Sequence, residues 1–129
     1  MKSKNLNLVL ALIAAIIMLQ TLFYKFSGSA ESIYIFSTLG IEPWGRIGAG
    51  ISELIAGILL VLNRTRLLGA LMGLGIMLGA IAAHLFVLGI AVGGDGGKLF
   101  TLALITFIAC LILIVNNRHQ IPKILKLKF

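Results

Sequence analysis

Glu53 lies near the middle of an apolar stretch, Trp44 to Leu62, that is long enough to cross a membrane and also carries Arg46. A charged side chain at the bilayer centre costs roughly 2.5–3.5 kcal/mol on insertion scales. Such a residue faces a bundle interior and a partner, and no opposite charge stands one turn from Glu53 along its own segment. The partner must come from elsewhere. Lys25, at the end of the first apolar run, and His84, late in the third, carry the chemistry to meet it, with Arg46 as a further cation. A carboxylate and an imidazole in a water-poor setting can hold or pass protons near neutral pH. Lys25, Arg46, Glu53 and His84 therefore stand as the ligand-binding or proton-carrying candidates.

Each has a plainer reading beside it. Lys25 and Arg46 are at helix ends, where long basic side chains anchor at the membrane surface. His84 can be a satisfied interior histidine, and Glu53 can make a purely structural interhelical hydrogen bond. Glu53 is the hardest of the four to dismiss, because it is the deepest.

Other chemistries find little support. One usable histidine, one intramembrane carboxylate and no cysteine cluster are too few ligands for a transition metal. No nucleotide-binding loop is present, and no serine or cysteine has an evident base. Gly93-Gly94-Asp95-Gly96-Gly97 reads as a plain link between helices rather than an anion nest. Cys110 is the sole cysteine, so the chain can form no internal disulfide and no CxxC pair, and any role for its thiol needs a partner.

The elements that position these residues follow from composition. The chain has 129 residues, is 60% hydrophobic and only 12% charged, against about 45–50% and about 25% in soluble domains. Mean hydropathy is +1.11. A spanning helix needs about 20 mostly apolar residues, so the length suits one all-α domain, 1–129: an integral membrane bundle of four transmembrane helices. The spans are expected at about 6–26, 45–62, 67–90 and 98–115. The net charge of +7 reads as topology determinants beside the spans, not as a nucleic-acid surface.

Leu6 to Phe26 exceeds the roughly 7–15 residues of a signal-peptide core and reads as a retained helix. Between the first two spans, Ser29 is placed to N-cap a short helix running to Leu39, with Glu31 in its favourable first turn. Ile33, Tyr34, Ile35 and Phe36 make it too apolar for a solvated loop, so an interfacial helix over the bundle mouth is expected. Gly40 ends it, and Pro43 suits the start of the next helix. In the second span, Arg46, Gly50, Glu53 and Gly57 share a face, with Gly45, Gly48, Ser52 and Ala56 on a neighbouring one. Small residues let helices approach closely in lipid, so this span is expected to be the most enclosed. The third repeats the device in Gly69/Gly73 and in Gly75/Gly79/Ala83. The fourth, polar only at Thr101, Thr106 and Cys110, is expected to be the most lipid-facing. The tail 116–129, with Lys123, Lys126 and Lys128 among apolar residues, is expected to lie along an anionic membrane surface.

With four spans, Lys2, Lys4, Arg64, Arg66, Arg118 and the tail lysines fall on one side, which the positive-inside rule assigns to the cytoplasm together with both termini. Arg46 then sits near the outer surface, with Glu53 about 10 Å deeper at 1.5 Å per residue. His84 and Lys25 fall at similar levels. A cluster of all four, opening outward beneath the short helix, is geometrically allowed.

Several of these stretches carry a resemblance. Phe23-Tyr24-Lys25-Phe26-Ser27-Gly28 closes the first helix, Arg46-Ile47-Gly48 leads to Glu53-Leu54-Ile55-Ala56-Gly57, Arg66-Leu67-Leu68-Gly69-Ala70 opens the third helix, and Ala80 to His84 ends it. In this order, from about Leu6 to Val115, the chain resembles the DoxX family of small four-helix bacterial membrane proteins. The resemblance implies a four-span bundle in the bacterial inner membrane. In some relatives it implies a membrane subunit of a quinone-linked or thiol-related oxidoreductase assembly. On that reading Glu53 and His84 hydrogen-bond a quinone or carry its protons, Arg46 keeps the carboxylate charged, and electrons come from an oxidoreductase partner, so the chain is a subunit and not a self-sufficient enzyme. A second reading is a non-catalytic protein that binds a lipid-like ligand or stabilises a partner, with homodimerisation through its glycine faces left open. A transporter ranks last, for want of broken helices in matching halves.

Overall fold

The computed structural model describes residues 2–91 and 96–120, and the tail lysines and most of the glycine link lie outside the described residues. It is all-helical, and four helices are long and apolar enough to span a membrane. Helix α1 (Lys2–Gln20) continues after a break at Thr21 as α2 (Leu22–Ser27), and the short α3 (Ala30–Thr38) follows. Helix α4 (Trp44–Val61) leads through a 3₁₀ turn, Asn63–Thr65, into α5 (Arg66–Ala83), which widens into a π turn at His84–Leu88. Helix α6 (Lys98–Asn116) closes the bundle.

The order around the bundle is α1, α4, α5, α6 and back to α1. Successive helices are antiparallel, so the start of α1, the end of α4, the start of α5 and the end of α6 share one end. Asn116 Nδ2 donates to Asn7 Oδ1 across that end at 3.2 Å. Arg66 closes the α4–α5 turn, donating from Nε to Leu60 O at 2.8 Å and from Nη2 to Val61 O at 3.0 Å. A guanidinium on the last carbonyls of α4 supplies donors that the helix cannot supply itself.

Lipid tails are as apolar as leucine, so spanning helices associate by close packing and not by escape from water. The core accordingly is rich in small or slender side chains, among them Ala11, Ala14, Ala15, Met18, Ala70, Ala109 and Cys110, packed with Leu60 and Leu113. Two glycines of α5 are required by contact. A Cβ on Gly69 would lie 2.6 Å from the Leu60 backbone nitrogen, and one on Gly73 would lie 2.9 Å from Cys110 Sγ. Large side chains such as Ile16, Phe23, Leu78 and Ile108 point outward, where they meet the bilayer.

The fourth helix is not the most lipid-facing. It buries 28% of its span, the same share as the first and second, whereas the third buries 17%. In a closed ring each helix has two neighbours, and α6 fills its side with Ala103, Thr106, Ala109, Cys110 and Leu113. Uniform hydropathy conceals which face is inward.

The short third helix forms where expected. Ser29 Oγ accepts from Ser32 N–H at 3.2 Å, with Glu31 in the first turn. Gly40, at φ +78, turns the chain after it. Ser32 and Phe36 are its buried side, directed at the bundle.

Candidate functional site

The site begins with one face of α4. Arg46, Gly50, Glu53 and Gly57, spaced three or four residues apart, are all buried, and each meets α1 or α2. A Cβ on Gly50 would lie 2.7 Å from the Phe26 ring and one on Gly57 2.8 Å from Leu19. The two glycines draw α4 against α1–α2, which brings the charged residues of this face onto their partners.

Glu53 finds its partner in Lys25. The ammonium lies 2.9 Å from Glu53 Oε1, with the side chains 16% and 6% exposed. Lys25 Nζ also donates to Thr21 Oγ1 at 3.1 Å. Thr21, which has one hydroxyl proton, lies 2.8 Å from Met18 O and 3.3 Å from Glu53 Oε1. Lys25 is thus turned inward and is not a surface anchor. Thr21 escaped sequence reading, although its i,i+4 spacing to Lys25 signals the contact. Its back-bond to Met18 O coincides with the break between α1 and α2, as hydroxyl back-bonding bends helices.

Arg46 takes a different place. Its Nε donates to Glu42 at 2.9 and 3.1 Å, and Nη1 donates to the Lys25 carbonyl. It caps the end of α2 and is tied to Glu42; the cation beside Glu53 is Lys25. The reach of a guanidinium to a carbonyl 21 residues earlier depends on helix rotation, which spacing does not reveal. Gly28, at φ +71, completes the cap by donating its N–H to Tyr24 O.

His84 is 6% exposed. Its Nδ1 lies 2.8 Å from Ala80 O, and its ring meets Phe100 at a centroid distance of 5.6 Å.

Lys25, Glu53 and His84 all line one cavity of 740 Å³ beneath α3, whereas Arg46 stands outside it. Its remaining walls are mostly apolar and include Ile17, Ile35, Phe36 and Leu102. Gly75, Gly79 and Ala83 also face it. The glycines of α5 thus divide: Gly69 and Gly73 admit a neighbouring helix, whereas a Cβ on Gly75 or Gly79 would meet nothing within 4 Å. The second set makes room in the cavity. At the opposite end, Lys4, Asn7, Asn63, Arg66, Asn116, Asn117 and His119 border a smaller cleft of 240 Å³.

The DoxX family model matches residues 6–89, more than half of the chain. The chain belongs to the DoxX family. No curated protein and no solved structure matches it. The DoxX match takes in Lys25, Arg46, Glu53 and His84, together with most of α1, α2 to α5 and the π turn. It stops before α6, which adds Phe100, Leu102 and Ala103 to the site region.

Proposed function

We infer that this DoxX-family chain is a non-autonomous subunit of a quinone-linked oxidoreductase system in the cell's inner membrane, with the cavity beneath α3 as its quinone site. The observation that carries the reading is the meeting of a Lys25–Glu53 ion pair and a buried histidine in one mostly apolar cavity, whose lining also includes Glu31 and Lys98. A volume of 740 Å³ falls within the usual range of about 300–1,000 Å³ for small-molecule sites. Apolar walls suit an isoprenoid tail. Lys25 Nζ, having spent two of its three N–H groups on Glu53 and Thr21, keeps one for a quinone oxygen. A quinone supplies two-electron redox chemistry when bound; Glu53 and His84 hold or pass the accompanying protons. In this reading the electrons come from a partner protein. A thiol-linked route would likewise need a partner's thiol, since Cys110 is fully buried in the core.

The orientation belongs to the same proposal. Lys4, Arg64, Arg66 and Arg118 gather at the end opposite α3, which supports cytoplasmic termini and a cavity on the outer half of the membrane.

A second reading, a non-catalytic protein holding a lipid-like ligand, is favoured by the same apolar walls. Mass spectrometry of solvent extracts from the purified protein and from Glu53→Gln separates the two. Quinone near one per chain in the wild type, lost in the variant, is the expected result. Phospholipid alone, unchanged by the substitution, would favour the second reading.

A further inference from the structure

His84 carries an atom whose chemistry is unspent. Its Nδ1 faces Ala80 O at 2.8 Å, and a carbonyl oxygen can only accept. In the neutral ring the proton therefore sits on Nδ1, and Nε2 is a bare lone pair. Nε2 is buried and has no hydrogen-bond partner among the described residues. Orphaned buried polar atoms are rare in folded proteins and call for a reason.

The ring is also held in place. The bond to Ala80 anchors one edge, and Phe100 packs against the ring. Here α5 changes from α to π geometry, with Gly89 N–H donating to His84 O at 2.7 Å. Gly89, at φ +85, lets the chain depart at once. Single π turns inside helices recur at functional sites. His84 lines the cavity together with the small residues Gly79, Ala80, Ala83 and Ala103.

We propose that the ligand of this cavity presents an O–H donor to His84 Nε2, so that among quinone-class molecules the site prefers the reduced, dihydroxy form. The quinone class rests on the function inferred above; the need for a donor does not. An oxidised benzoquinone offers only acceptor oxygens, which would set lone pair against lone pair at Nε2. Its hydroquinone offers a phenolic O–H there. Lys25 does not discriminate, because its remaining N–H can donate to an oxygen of either form. Glu31 and Glu53 also line the cavity as acceptors, with Glu53 Oε1 already beside Lys25 and Thr21; the buried acceptor with no partner among the described residues is His84 Nε2, and the selection is assigned to it.

The test uses two probe pairs with the full chain in detergent at pH 8, under argon, by calorimetric titration. A decyl-substituted benzoquinone and its hydroquinone test the class; 4-decylphenol and its methyl ether, 4-decylanisole, test the donor alone. The wild type is expected to bind hydroquinone over quinone, and phenol over anisole, by on the order of tenfold. His84→Leu is expected to bring both ratios to near one while still binding the oxidised quinone. His84→Gln, able to accept or donate, keeps a polar group there if the leucine variant does not fold, and is expected to narrow both ratios. Equal binding within both pairs by the wild type overturns the proposal and leaves the quinone reading standing. Discrimination of phenol from anisole without binding of either quinone form upholds the donor requirement and removes the quinone class.

Discussion

The Lys25 ammonium lies 2.9 Å from Glu53 Oε1, joining α2 to the middle of α4 where neither residue has an opposite charge on its own helix within a turn. Each charge makes the other tolerable at membrane depth. Removing one partner of a buried pair costs about 3–5 kcal/mol, because the survivor is left unpaired. Lys25→Met alone is expected to lower thermal stability in detergent by an amount of that order. Lys25→Met with Glu53→Gln should recover most of it, since both charges go together. A double variant as unstable as the single would show that the pair does not carry this stability.

The glycines of α5 are expected to respond with opposite signs. Gly69→Ala places a methyl 2.6 Å from backbone and should destabilise by about 1–3 kcal/mol. Gly79→Ala meets open space and should stabilise by about 0.5–1 kcal/mol through helix propensity. Thermal melts of the two variants side by side provide the comparison.

Gly79→Leu extends the same logic to the ligand. The side chain would enter the cavity from α5, a helix that carries neither member of the Lys25–Glu53 pair. Bound small molecule recovered by solvent extraction should fall several-fold while the melting temperature holds. Undiminished recovery would place the ligand elsewhere.

Arg46 is expected to behave as a cap. Arg46→Gln removes a charged donor from the Lys25 carbonyl and from Glu42, at a cost of about 1.5–3 kcal/mol for bonds of this kind. Faster hydrogen exchange should then be confined to the α2–α3 junction, and ligand should still bind to saturation.

The proposed orientation is checked with fusions at each terminus. A fluorescent protein that folds only in the cytoplasm should report from both ends, and an alkaline phosphatase active only outside should stay silent at both. The reverse pattern would turn the cavity to the cytoplasmic side.

Much of this arrangement was legible in the chain. Glu53 declared itself by its depth in an apolar segment, and the Arg46/Gly50/Glu53/Gly57 spacing named the face that is buried. Ser29 and Glu31 marked the start of α3. Which cation meets Glu53 was not legible, because Lys25, Arg46 and His84 all fall at about the right level, and the choice between them turns on helix rotation. Nor did spacing distinguish Gly73 from Gly79. Both are small residues in one helix, yet one lies against Cys110 and the other against open cavity.

By itself the sequence determined four apolar spans, their alternation, the basic end and the family, because each of these depends on composition and order along the chain. The tertiary structure decided that Lys25 pairs with Glu53, that Arg46 caps α2, that α6 is as buried as α1 and α4, and that His84 Nε2 is buried without a partner among the described residues. Those outcomes depend on the angle at which each helix presents its side chains. In a bilayer, where nearly every face is apolar, that angle is set by close contacts between helices and leaves little trace in hydropathy.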